Sequence, residues 1–195
     1  PDHILNNSKI EHRIKAIFNT TPQNVMINEL ILKNKVLELK ITAKDNENLD
    51  LLKQSLNKIY QTVETKKLDE KQESNFEAIV VAKDELEIKD VVYGIFTKDY
   101  LQDELFDKES INEQLKILLP EHSIIKYIET YNANKVEIFS FSVNTIIKEP
   151  KDLFNIFTNI NSELYSITIS KPILMKNTNL GIEVDFIIEF NQLKN

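Results

Sequence analysis

Three histidines, His3, His12 and His122, are the only imidazoles in this chain of 195 residues. No two stand at the i, i+4 spacing that sets two ligands on one helix face. None lies in an H-E-x-x-H pattern, so zinc hydrolysis has no written site. Exposed or partly packed histidine is the plainer reading. The absence of cysteine removes disulfides, thiolate catalysis, iron–sulfur clusters and cysteine-bound zinc together. Gly94 and Gly181 are the only glycines, isolated in Val-Val-Tyr-Gly-Ile and Asn-Leu-Gly-Ile. Loops that cradle phosphate need clustered glycines for close backbone approach, so no nucleotide fingerprint is present. Carboxylates gather at Asp84-Glu85-Glu87 and at Asp99, Asp103, Glu104 and Asp107, without the glycine and ligand rhythm of an EF-hand. They read as a solvated acidic face. A glycosidase-type pair could be drawn from the 31 acids, yet nothing selects two of them. There is no G-x-S-x-G elbow. The expectation is a chain with no catalytic residue, no metal ligand and no cofactor site.

Two further groups touch on nucleic acid. Lys66, Lys67 and Lys71 are interrupted by Asp69, Glu70 and Glu73, which makes a loop rather than a phosphate groove. Tyr127, Phe139 and Phe141 recur at strand spacing and could stack bases, but packing into a core is the simpler role. The net charge of −7 and pI near 5.1 oppose general nucleic-acid binding, which needs a positive footprint. With 42% apolar residues the chain has enough material for a core. No stretch approaches the ~18 consecutive apolar residues of a membrane helix, and no signal peptide is visible. The chain begins Pro1-Asp2-His3. It is read as a fragment or processed chain whose membrane anchor would lie upstream.

The elements that would position these residues follow from periodicity. Residues 8–18 read as a helix, with Ser8 and Glu11 in a capping-box pattern and Ile10, Ile14, Ile17 and Phe18 on one face. Pro22 ends that run. Residues 25–32 read as a strand in which Val25, Ile27 and Glu29 alternate with Met26, Asn28 and Leu30, an imperfect pattern. Lys33-Asn34-Lys35 is a hairpin turn, and 36–43 alternates cleanly as its partner. Residues 49–60 read as a helix with Leu49, Leu52, Leu56, Ile59 and Tyr60 on its stripe. A short strand at 62–65, a charged loop at 66–75 and a strand at 76–82 follow. The second half runs helix 110–119, Pro120, strand 124–130, turn 131–135, strand 136–146, helix 150–164 and a strand pair, 167–175 and 180–190.

The two halves match in register. Asn34-Lys35-Val36 recurs as Asn134-Lys135-Val136, and Leu52, Leu56 and Ile59 recur as Leu153, Phe157 and Ile160. The expected class is α+β. It would comprise two tandem ferredoxin-like units (permuted, αββαβ), with helices on one face of antiparallel sheets. Residues 1–83 form the first unit, 84–108 a connecting segment and 109–195 the second unit. The connecting segment carries an apolar run, Val91, Val92, Tyr93, Gly94, Ile95 and Phe96. It is either an extra packing strand or an edge that docks a partner. Ile4 and Leu5 ahead of Ser8 would continue into a stalk and form a second candidate partner interface.

Residues 10–82 resemble the extracytoplasmic domain of the PilN family of type IV pilus inner-membrane platforms. The resemblance lies in the helix Ile10–Phe18, in Thr21-Pro22-Gln23-Asn24-Val25, and in the hairpin Glu29-Leu30 to Val36–Ala43. It continues through Asn48-Leu49 to Leu56 and Phe76–Ala82. Residues 110–190 are similar to the partner PilO and to type II secretion platform domains, with Ile182–Phe190 as the last strand. The family commonly has glycine after the second strand, where Ala43 and Val143 stand here. The resemblance implies a non-enzymatic scaffold in the periplasm, anchored in the inner membrane and docked to homologous platform proteins as a homo- or heterodimer. The alternative expectation is a periplasmic DNA-binding component of a DNA-uptake system.

Overall fold

The computed structural model describes residues 2–84, 106–133, 136–162 and 166–193. In chain order the elements are α1 (Asp2–Thr20), β1 (Val25–Leu32), β2 (Val36–Asp45), α2 (Asn46–Leu56), β3 (Thr62–Lys67) and β4 (Ser74–Lys83). They continue with α3 (Lys108–Leu118), β5 (Ile124–Ala133), β6 (Val136–Ile147), α4 (Pro150–Ser162), β7 (Ser166–Thr178) and β8 (Gly181–Leu193). The α1 backbone is helical well before Ser8, so the capping box expected there does not start the helix. On α2, Asp45 caps the first turn, and Leu49, Leu52 and Leu56 are buried. The expected helix over 49–60 stops at Leu56. There the amides of Ile59 and Tyr60 both bond to the Leu56 carbonyl, and the tightened turn carries Tyr60 into the core.

All eight strands belong to one antiparallel sheet, in the order β3-β4-β2-β1-β7-β8-β6-β5. Alternation makes its two faces unlike. Leu37, Leu39 and Ile41 of β2, Phe76, Ala78 and Val80 of β4, and Phe186, Ile188 and Phe190 of β8 point under the helices and are buried. The intervening residues face outward. Helix and strand residues from both halves share one apolar cluster.

This corrects the expected fold. The protein is α+β, but it is not two tandem ferredoxin-like units. Each half does repeat the order αββαββ, and each lays its strands down identically, β3-β4-β2-β1 beside β7-β8-β6-β5. The halves do not close as separate sheets because β1 pairs with β7: Glu29↔Lys176, Leu30↔Met175, Ile31↔Leu174 and Leu32↔Ile173. Leu30, Leu32, Ile173 and Met175 are all buried there. As two open edges, these side chains would forfeit part of the ~1.5–3 kcal/mol that each fully buried aliphatic group contributes. Helix α1 lies over β7 and touches both α2 and α4, so it spans the joint from above.

The repeat is also finer than the sequence match. In β1 and β2 the register slips between Ile27 and Glu29, and in β5 and β6 it slips between Tyr127 and Glu129. Glu29 lies opposite Lys40 just as Glu129 lies opposite Ser140. A β-bulge thus sits at the same place in both halves, at Asn28 and Ile128. It explains the imperfect alternation of the first strand, because the extra residue moves the later side chains to the other face.

Candidate docking edges

The interface residues expected from the sequence are only partly placed. Ile4 and Leu5 fall on the helical backbone of α1, near its start. Val91, Val92, Tyr93, Ile95 and Phe96 lie outside the described residues. His12 and His122 are exposed, on α1 and in the turn before β5. Phe139 and Phe141 are buried under the helices, and Tyr127 meets Phe141 edge to face at 5.7 Å. Phe139 and Phe141 thus pack in the core, while Tyr127 stays partly exposed at the edge. Gly181 sits at φ +135° in the β7–β8 turn, where a Cβ would come within 2.6 Å of the Ile147 carbonyl oxygen. Its role is a turn and a close approach, not a phosphate loop.

What the chain does display is edge pairing. At the joint, Lys176 Nζ stands 3.6 Å from Glu29 Oε1 on the open face, and Asn177 Nδ2 donates to the Ile27 carbonyl at 2.9 Å. The side-chain amide bond carries the contact past the bulge, where the strand ladder stops. Among the described residues, the strands at the two ends of the sheet are β3 and β5. Strand β3 is short and bears Glu64, Lys66 and Lys67, the charged, abbreviated edge that discourages pairing. Strand β5 has ten residues and leaves Ile124, Tyr127, Ile128 and Tyr131 exposed. Apolar side chains occur on both of its faces, so it lacks the clean alternation of β2. That mixed pattern is the sequence signal of this exposed edge, and alternation counting passes over it.

The polar clusters are structural. Arg13, the only arginine, lies over the Tyr60 ring at 4.6 Å and reaches Asp84 Oδ2 and the Ile59 carbonyl, both at 3.5 Å. Burial pushes the Tyr60 phenol up, partly offset by the Arg13 charge. Burial first, then Arg13 and Lys9, pushes the Lys171 ammonium down. On the open face, Asn144 Nδ2 donates at 2.8 Å to both Glu183 Oε1 and Asp185 Oδ1. Among the described residues no group of His, Asp and Glu is placed to hold a metal. A cavity of about 470 Å³ opens beside the joint, between Phe18, Met26, Pro150 and Ile182. Among the described residues that line it, Lys176 is the one ionisable group. A second, of about 390 Å³, lies between α3 and α4. Its Asp152 accepts from the Lys148 and Glu149 amides at 3.1 Å and so caps α4. No protein-family model, curated protein or solved structure matches this chain.

Proposed function

We propose that this chain is a non-enzymatic scaffold domain of an inner-membrane assembly platform of the type IV pilus or type II secretion kind, and that it works by docking homologous domains. One observation carries the reading: the two αββαββ halves are themselves joined strand edge to strand edge, with a helix laid across the seam. A unit that recognises its own repeat in this way has the geometry needed to recognise a homologous partner. In this reading the domain works on the periplasmic side, tethered to the inner membrane. A DNA-uptake role is less well supported. Among the open-face acids, Glu183, Asp185 and Glu189 line one strand and would repel phosphate.

The test is co-expression of the intact protein with the platform proteins of its own cell, followed by size exclusion at moderate salt. Co-elution at fixed stoichiometry, unchanged by nuclease, is the expected result. Failure to co-elute with any of them, together with salt-sensitive retention on DNA, would overturn the proposal in favour of the DNA-uptake role.

A further inference from the structure

We infer that the cavity beside the joint is a binding site for a small amphipathic carboxylate, a flexible apolar chain with one anionic head. The inference stands on the cavity itself and holds whether or not the chain serves a pilus platform.

The cavity exists because the sheet parts there. The β1–β7 ladder runs from Leu32 back to Glu29 and stops at the bulge. Residues Val25–Ile27 go on pairing with β2 but have no ladder to β7. On that open side lies a space of about 470 Å³, bounded by Phe18 of α1, Pro150 of α4 and Ile182 of β8. Ligand pockets span roughly 300–1,000 Å³, so it has room for a small molecule.

The lining is graded from dry to wet. Val25 and Met175 are buried. Phe18, Ile27 and Ile182 are half-buried against the core. Met26, Lys176 and Asn177 are exposed. Apolar walls therefore rise to a polar rim. Both methionines of the chain line this one space, Met26 from β1 and Met175 from β7. An unbranched thioether adapts its shape to what it meets, which suits a flexible chain. Phe18 is the one aromatic ring among the described lining residues, so no pair of rings is set to sandwich a planar ligand.

The polar groups select the head. Thr21 Oγ1 donates to the Ile17 carbonyl at 2.7 Å, Asn28 Nδ2 to Thr42 Oγ1 at 2.9 Å, and Asn177 Nδ2 to the Ile27 carbonyl at 2.9 Å. These groups are engaged within the fold. Lys176 is held more loosely. Its Nζ stands 3.6 Å from Glu29 Oε1, beyond the ~2.7–2.9 Å of a charge-assisted hydrogen bond, and both side chains are exposed. The ammonium at the rim is thus free to exchange Glu29 for the carboxylate of a ligand, while the apolar chain of that ligand enters between the two methionines.

The test uses the intact chain with its methionine methyl groups isotopically labelled. The whole protein then gives two methyl signals by NMR, and both report on the cavity. The probe is decanoate, kept below the concentration at which it forms micelles. Both signals should move together and saturate, and decanol, with the same chain and no charge, should bind more weakly. Lys176→Gln should weaken decanoate by roughly tenfold or more and leave decanol unchanged. Lys176→Arg keeps the charge and should keep the affinity. Lys176 is exposed, so an unchanged urea midpoint shows that folding is kept in both variants. Signals that stay in place, signals that drift without saturating, or equal decanoate binding by Lys176→Gln would each overturn the inference. None of these results bears on co-elution with platform proteins, so failure of the two proposals can be told apart.

Discussion

Asp45 and Asp107 do the same work at two helix starts. The Asp45 carboxylate accepts from the Asn48 amide at 2.9 Å, and Asp107 accepts from the Ser110 amide at 2.8 Å. Each satisfies a backbone donor that the helix itself cannot. These backbone hydrogen bonds, followed by those from the Asn48 and Ser110 side chains, hold both carboxyls below their usual range. A carboxyl whose folded pKa is depressed contributes stability above its unfolded value and loses it as pH falls through the folded one. Asp45→Ala should therefore lower the urea midpoint at neutral pH, and the gap to wild type should narrow as pH drops through the acidic range. A gap of constant size down to pH ~2 would mean that the charged cap is not the cause. The residue scale was unevenly legible. Asp45 stands in a polar run, Asp45–Asn48, directly ahead of an apolar stripe, which is the pattern of a helix cap. Asp107 reads in the sequence as one more acid in a solvated cluster, because neighbouring acids mask the one that meets an amide.

Strands β1 and β5 are the same element with opposite fates, and the difference lies outside both. Their bulges, registers and hairpin partners agree, yet β1 is interior and β5 terminal. The helix stripes, the hairpins and the repeat are all legible because their signals are local, within one or two turns or one hairpin. The β1–β7 joint is not, because its partners stand about 150 residues apart and leave no spacing to count. Reading each half as self-contained therefore gave two sheets where there is one. The helix that seals the joint carries the test. Ile14 of α1 is fully buried, on an element packed against β7, α2 and α4 at once. Ile14→Ala should cost about 2–5 kcal/mol by urea unfolding, as expected for a core truncation that leaves a cavity. A loss below ~1 kcal/mol would show that α1 does not clamp the halves together.

At the scale of the whole molecule, one sheet and one core imply one folding unit. A chain of two independent ferredoxin-like units could open one half while the other stayed closed. Here opening the first half breaks the β1–β7 ladder and lifts α1 from β7, so the second half loses a strand neighbour and part of its cover. The shared cluster includes Phe76 and Ile41 from one half and Phe141 and Ile188 from the other, all buried. Neither set keeps its burial if the other unfolds. Hydrogen exchange at rising, sub-denaturing urea measures this directly, since amides that exchange only by global opening converge on one free energy. The slowest amides of β2 and β4 should converge with those of β6 and β8, and a single urea slope should describe both. Two plateaus with separate slopes would show that the halves open independently. The joint would then be a contact between domains rather than the middle of one. Convergence would mean that the edge pairing proposed for the partners of this chain already sets the stability of the chain itself.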